Sequence, residues 1–342
     1  MKYFVLAVVL IIPIPIGCGD VFTFPVFQHF SACPNNPGLS IGAEGSFDGG
    51  SVRDNVVWSG RGRLWTLYTG AQFGVPPYNP TIGIAWSKDG CTWAKGEQVI
   101  VPDPAVPECA GGVFSPGMYY DAQADVLTVA VSCISDPAKW YTGPIRIAEL
   151  QAKANADWAS SASYQWQNGG RPVLANSQSW EGEQGVYAPS IAASGSNYYL
   201  YYSSSSVGTY QTGIAVSKSP AGPWVKSDQN PITPSDTNCE EPAPIYSSSG
   251  NVYLLCDTVG IDREGANIFS LTGTDPMQRR EWSARGVFDF PDRTSWSAGE
   301  IGSQSLVELS DGRVLLTYNG KPAGTQSDVR AIGFAYLAFQ NH

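Results

Sequence analysis

The chain has 342 residues, with 30 acidic against 20 basic side chains, a net charge of −10 and a charged fraction of only 15%. That balance excludes a nucleic-acid partner, because neutralising phosphates needs clustered Lys and Arg and no cluster occurs. The 37 glycines, 25 prolines and 12% aromatic content describe many strands joined by turns, not packed helices.

In chain order, Lys2 and the apolar run Tyr3 to Ile12 lead into Pro15-Ile16-Gly17-Cys18-Gly19-Asp20. This reads as an export signal over residues 1–18, too short for a membrane span. Ile16-Gly17-Cys18 resembles the end of a bacterial lipobox, whose cysteine becomes a lipidated N-terminus; an ordinary secretory signal is the other reading. The expected location is therefore outside the cell, at its surface or in the periplasm, with membrane contact only through a lipid on Cys18. Residues 19–43 form an N-terminal segment before the repeats begin.

From residue 44 to 342 one pattern recurs five times at a spacing of roughly 50 to 70 residues. A strand precedes a Gly/Ser turn, and a second strand follows: Leu64 to Tyr68, Leu127 to Val131, Tyr198 to Tyr202, Val252 to Cys256 and Val314 to Tyr318. After a loop comes a third strand built around Gly-Ile-Ala, seen at Ile82-Gly83-Ile84-Ala85, Ile145 to Ala148, Thr212 to Ala215, Asn267 to Ser270 and Ile332 to Ala335. Small sheets repeated with no helical periodicity between them predict an all-β fold, a five-bladed β-propeller, expected as a monomer. In such a fold the loop into strand one and the loop between strands two and three open on one face, over the central channel.

Without Cys18, six cysteines remain, an even number that in an exported chain points to disulfides. A hairpin turning near Ser249 brings Cys239 to Cys256, Cys109 and Cys133 are similarly placed in unit two, and Cys33 and Cys91 are left to tie the N-terminal segment to unit one.

The only histidines are His29 and His342, so neither a His-activated serine nor a His-ligated zinc is expected. No phosphate-cradling glycine motif opens a helix. Carboxylates remain. Asp54, in Arg53-Asp54-Asn55, leads into the innermost strand of unit one, and Glu240 and Glu241 occupy the same place in unit four. Opposed carboxylates across a funnel are what glycosidic hydrolysis requires, one ionised and one protonated. Successive strand residues face opposite sides, so one of Glu240 and Glu241 faces the channel; aligning the turns selects Glu241, and aligning Glu-x-Pro selects Glu240.

Further residues on the same face are Trp180 and Trp296, preferred for stacking on sugar rings, with Tyr187, Trp140, Arg263 and Arg330. The loops there also carry the acids Asp48, Glu181, Glu183, Asp257, Asp262 and Glu300, of which Glu183, Asp262 or Glu300 is a candidate to hold the acid's pKa up.

Tyr187-Ala188-Pro189-Ser190 through Tyr202 resembles the aromatic-Ala-Pro-Asp hairpin of glycoside hydrolase family 43. Ser217 to Trp224 resembles that family's third-strand ending, and Ser87-Lys88-Asp89-Gly90-Cys91-Thr92-Trp93 its variant shared with family 32. Glu-x-Pro echoes the family's general acid and Asp54-Asn55 the Asp-Pro of its base. The resemblance implies an exported hydrolase of arabinan-, xylan- or fructan-like glycosides, with no cofactor. A channel ion, if bound, would need oxygen ligands alone, which favours calcium. The chain departs from the family at Ser190 and Ser115, which stand where the resemblance places two carboxylates. Those serines favour the alternative, a glycan-binding propeller lipoprotein without catalysis; a structural surface protein is a third reading.

Overall fold

The computed structural model describes residues 26–340 apart from 73–78, 140–142, 207, 235–236, 259–264, 292 and 325–328. Cys18 and the export signal, Trp140, Asp262, Arg263 and His342 lie outside the described residues.

Among the described residues, twenty strands make five four-stranded antiparallel sheets. The first blade holds β2 (Ser51–Gly60), β3 (Arg63–Ala71), β4 (Thr81–Ser87) and β5 (Trp93–Ile100). The second holds β6 (Gly112–Asp121), β7 (Val126–Ile134), β8 (Arg146–Ala152) and β9 (Tyr164–Trp166), and the third β10 (Tyr187–Ser194), β11 (Asn197–Ser206), β12 (Thr209–Ser217) and β13 (Val225–Lys226). The fourth holds β14 (Glu240–Tyr246), β15 (Val252–Asp257), β16 (Gly265–Leu271) and β17 (Trp282–Asp289). The fifth takes β18 (Glu300–Glu308), β19 (Arg313–Lys321) and β20 (Ala331–Phe339), and its outer strand is β1 (Phe27–Ala32). Residues 27–32, placed by the sequence before the domain, are thus a blade strand that closes the ring against the last strand, with Phe27 opposite Phe339.

Each blade is covered on both faces by its neighbours, which is why its second strand is a continuous apolar run and not an alternating one. The core is accordingly a set of wedges between blades. Trp58, Trp65 and Trp158 fill the first junction, and Tyr201, Phe269 and Trp282 that between blades three and four. Disulfides join Cys33 to Cys91, Cys109 to Cys133 and Cys239 to Cys256, the pairs expected. The innermost strands β2, β6, β10, β14 and β18 touch in ring order around the axis.

Candidate active site

Every innermost strand is interrupted at the same point. Its register with the second strand slips between Arg53 and Asn55, Phe114 and Gly117, Tyr187 and Ser190, Glu240 and Ala243, and Gly302 and Ser305. Inside each slip one non-glycine residue has a left-handed backbone: Asp54 (φ 47°), Ser115 (43°), Ala188 (47°), Glu241 (53°) and Ser303 (49°). Three bulges continue with Pro116, Pro189 and Pro242, which a regular central strand would not tolerate but a bulge does. Five such backbones cost energy, and they turn five side chains toward the axis.

The N–H of four bulge residues is met by the residue that directly follows the second-strand run of the preceding blade. Thr69 Oγ1 accepts from Ser115 at 2.8 Å, Ser132 Oγ from Ala188 at 2.9 Å, and Ser203 Oγ from Glu241 at 2.8 Å. At the fourth junction Asp257 accepts from Ser303 with both carboxylate oxygens, at 2.7 and 2.8 Å. At the fifth, Asn319 instead donates its side-chain amide to Asp54 Oδ1 at 3.2 Å. The latch is therefore polar everywhere, and at Asp257 it is also a charge beside the site.

A pocket opens over this ring, lined by Asp54, Asn55 and Val56, by Ser115 and Pro116, by Ala188 to Ser190, by Glu241 to Ala243 and by Ser303 to Ser305. Asp54 is buried, and donors surround its carboxylate. Arg53 Nε lies 2.9 and 3.0 Å from its two oxygens, Ser115 Oγ donates at 3.1 Å and Ser303 Oγ stands at 3.5 Å. Glu241 is the opposite case. Burial holds its carboxyl well above the usual carboxylate range, the charges of Asp54, Asp257 and Glu240 raise it further, and only Arg53 opposes them. One wall thus carries a carboxyl group ringed by donors and the other a carboxyl whose pKa is raised.

The two sequence alignments of Glu240 and Glu241 are resolved by the bulge. Glu241 is equivalent to Asp54 and lines the pocket, whereas Glu240 turns to blade three, where its Oε1 accepts from the Tyr187 hydroxyl at 2.7 Å. Tyr187 is buried behind the pocket wall, so it positions Glu240 and does not offer a stacking surface. Ser115 and Ser190 do line the pocket, but the bulge equivalent in blade three is Ala188, two residues before Ser190.

Trp180 and Trp296 are blade packing, not sugar platforms. Trp180 lies on Tyr202, Trp296 stacks on Tyr318, and Phe47 holds the same place against Tyr68. These pairs cover the glycine of the third strand: a Cβ on Gly213 would fall 2.7 Å from Trp180, and one on Gly333 2.5 Å from Trp296. The acids that follow two of these aromatics complete the packing. Asp48 accepts from Tyr68 and pairs with Lys95 at 2.7 Å, and Glu181 accepts from Tyr202 and pairs with Lys226 at 2.5 Å. Glu300 pairs with buried Arg330 at 2.6 Å, Glu183 is exposed, and none of the three lines the pocket. The charges that raise Glu241 come from Asp54, Asp257 and Glu240, not from Glu183 or Glu300. The sequence noted Asp257 only as one loop acid among several. Its signal was positional: it follows the second-strand run directly, as Thr69, Ser132, Ser203 and Asn319 do. Among the described residues no group of three acidic, histidine or cysteine side chains converges as a metal site would require.

The family model described as Glycosyl hydrolases family 43 matches residues 153–284. Among curated proteins none matches the chain in sequence. Solved structures match over nearly its whole length. A family 117 glycoside hydrolase produced by the marine bacterium Zobellia galactanivorans is 15% identical, with a TM-score of 0.69 and 92% of each chain covered. A glycosyl hydrolase from Bacteroides ovatus is 17% identical, with a TM-score of 0.63 over 91% of this chain and 93% of that one. The α-L-arabinofuranosidase PaAbf62A from Podospora anserina, solved with cellotriose, is 11% identical, with a TM-score of 0.61 over 93% and 98%. The chain is a five-bladed β-propeller, and its residues 153–284 resemble glycoside hydrolase family 43.

Proposed function

We propose that this chain is an exported glycosidase that cleaves furanosides or pyranosides of arabinan-, xylan- or fructan-like glycans, with Asp54 as general base and Glu241 as general acid. The observation that carries the reading is the meeting of two carboxyl groups in one pocket: Asp54 lies among the donors Arg53 and Ser115, while burial and neighbouring charges push the pKa of Glu241 up. In the inverting form Asp54 removes a proton from water as it attacks the anomeric carbon, and Glu241 gives its proton to the departing oxygen, across a gap of about 6.5–9.5 Å. Three disulfides fit an oxidising compartment and so support export. The α-L-arabinofuranosidase names among the structural neighbours make arabinofuranosides the first substrates to try.

A glycan-binding propeller without catalysis is the second reading, favoured by Ser115, Ala188 and Ser303 at three of the five bulge positions, none of which ionises. Hydrolysis of aryl furanosides, aryl pyranosides and polysaccharides by the wild type, Asp54→Asn and Glu241→Gln separates the two. Turnover by the wild type that both variants lose supports the glycosidase; glycan binding without turnover supports the second reading.

A further inference from the structure

Blade four breaks a pattern that three other blades share. The last residue of the second-strand run is Tyr68 in the first blade, Tyr202 in the third and Tyr318 in the fifth, and each pairs with the glycine of the third strand, Gly83, Gly213 or Gly333. Each hydroxyl is tied to a loop: Tyr68 donates to Asp48 at 3.1 Å, Tyr202 donates to Glu181 at 2.8 Å, and Tyr318 accepts from Asn36 at 3.0 Å. In blade four the same position is Cys256, opposite Asn267, and its tie is the disulfide to Cys239. Blade two has Val131 there, and its bridge uses Cys133, beyond the latch residue Ser132.

The blade-four tie lies closer to the pocket than the tyrosine ties do. Asp48 and Glu181 sit in loops ahead of β2 and β10, whereas Cys239 directly precedes β14, with only Glu240 between it and Glu241. At its other end Cys256 directly precedes Asp257. Glu240 pairs with Asp257 and Ala243 with Leu255, so Glu241 and Pro242 stand in the register slip opposite Cys256. A bulge leaves its extra residue out of the ladder, and Pro242 has no N–H to offer. The disulfide therefore spans the two strands where their hydrogen-bond ladder is interrupted. Blades one, three and five form the same bulge without a disulfide beside it, so the bulge itself does not depend on one. Both cysteines are fully buried, which makes the bridge a fixed tie that a reductant in solvent does not reach.

We propose that the Cys239–Cys256 disulfide is a positioning element of the active site: it holds the Glu241 bulge and the Asp257 carboxylate in one rigid frame, so that without it the propeller folds but Glu241 no longer delivers its proton to the departing oxygen. This rests on the glycosidase reading, in which Glu241 is the acid. Glu241 is latched to Ser203 of the third blade and Asp257 to Ser303 of the fifth, so the bridge sets the acid against both neighbours. A merely structural role predicts a different ranking. Stabilisation by a disulfide grows with the loop it closes, and the sequence separations are 58 for Cys33–Cys91, 24 for Cys109–Cys133 and 17 for Cys239–Cys256. By that measure the fold needs the Cys239–Cys256 bridge least.

The test compares Cys239→Ala/Cys256→Ala with the wild type and with Cys33→Ser/Cys91→Ser on phenyl and 2,4-dinitrophenyl α-L-arabinofuranosides, or on the matching β-D-xylopyranosides if the wild type cleaves those. Dinitrophenolate leaves without a proton and phenolate needs one, so the phenyl glycosides report the acid and the dinitrophenyl glycosides do not. The expected result for Cys239→Ala/Cys256→Ala is a fall in kcat/KM of at least about tenfold on the phenyl glycoside and of less than about threefold on the dinitrophenyl one. The Cys33→Ser/Cys91→Ser protein should melt lower and keep the wild-type ratio of the two rates. An unchanged ratio in Cys239→Ala/Cys256→Ala overturns the proposal. If that protein does not fold, Cys239→Ser/Cys256→Ser, whose hydroxyls can hydrogen-bond across the gap, is read in the same way. Failure of both to fold also overturns the proposal, since the bridge would then hold the blade and not the acid. Wild-type turnover with an unchanged ratio in the variant leaves the glycosidase reading standing, whereas no turnover of these glycosides by the wild type removes both.

Discussion

Arg53 Nε lies 2.9 and 3.0 Å from the two carboxylate oxygens of Asp54, its neighbour in the chain. Successive residues of a regular strand face opposite sides, so this pair forms only because the left-handed backbone of Asp54, φ 47°, interrupts the strand. Both side chains are buried. Replacing Arg53 with Met strands the anion. We expect a loss of about 3–5 kcal/mol in urea unfolding at neutral pH, and a smaller loss in the Arg53→Met/Asp54→Asn double variant, where no charge is left unpaired.

Asp257 gives a kinetic prediction. In the proposed reaction Glu241 works in its protonated form, so activity falls as pH rises through its pKa, which the Asp257 charge helps to raise. Asp257→Asn removes that charge and keeps one acceptor for the Ser303 N–H. The alkaline limb of the kcat profile should move to lower pH by about one unit, with kcat below that limb changed little. An unmoved limb would show that Asp257 matters only as a latch between the fourth and fifth blades.

How far such residues could be read from the sequence follows from what each signal was made of. The second strands were legible because burial on both faces forces a continuous apolar run, as in Leu64 to Tyr68 and Tyr198 to Tyr202. Asp54 and Glu241 were legible because carboxylates are rare at strand starts in so weakly charged a chain. The blade-three position was not: a bulge adds residues that hydrophobic periodicity does not count, so the serine of the Ala-Pro-Ser run drew attention and Ala188 did not. The latch residues share only the capacity to hydrogen-bond, and Thr69, Ser132, Ser203, Asp257 and Asn319 form no pattern a motif would capture. Trp180 and Trp296 misled because an aromatic before a strand can cover a glycine as readily as a ligand. β1 was missed because its partner, β20, is at the far end of the sequence.

Glu149 predicts an unusual dependence of stability on pH. It is buried on β8, its Oε1 accepts from Trp224 Nε1 at 2.8 Å, and burial pushes its pKa up to about 8 from an ordinary 4.5. Between those values the folded protein holds a proton that the unfolded chain has released, so this group makes stability fall as pH rises, by up to about 1.4 kcal/mol per unit. Above about pH 8 its contribution is level. In Glu149→Gln the melting temperature should vary less between pH 5 and 8 and should exceed that of the wild type at pH 8. A wild-type slope retained in the variant would assign the effect to another group.

The Cys33–Cys91 bridge closes a loop over a sequence separation of 58. The chain-entropy relation gives about 4 kcal/mol for a loop of that length, and Cys33→Ser/Cys91→Ser should lower unfolding stability by 2–4 kcal/mol, within the usual range. Chemical unfolding of the two proteins under non-reducing conditions measures the difference.

The pairing of β1 with β20 also has a temporal meaning. During synthesis residues 27–32 emerge from the ribosome before any other strand of the propeller, yet their partner is made last. Four blades can assemble as they appear, whereas the fifth waits for both ends of the ring. Asp54 and Glu241 lie on either side of that fifth blade, so the proposed acid–base pair is set only at the final docking step. A nascent or truncated chain with four finished blades would carry both carboxylates and still lack the pocket that brings them together.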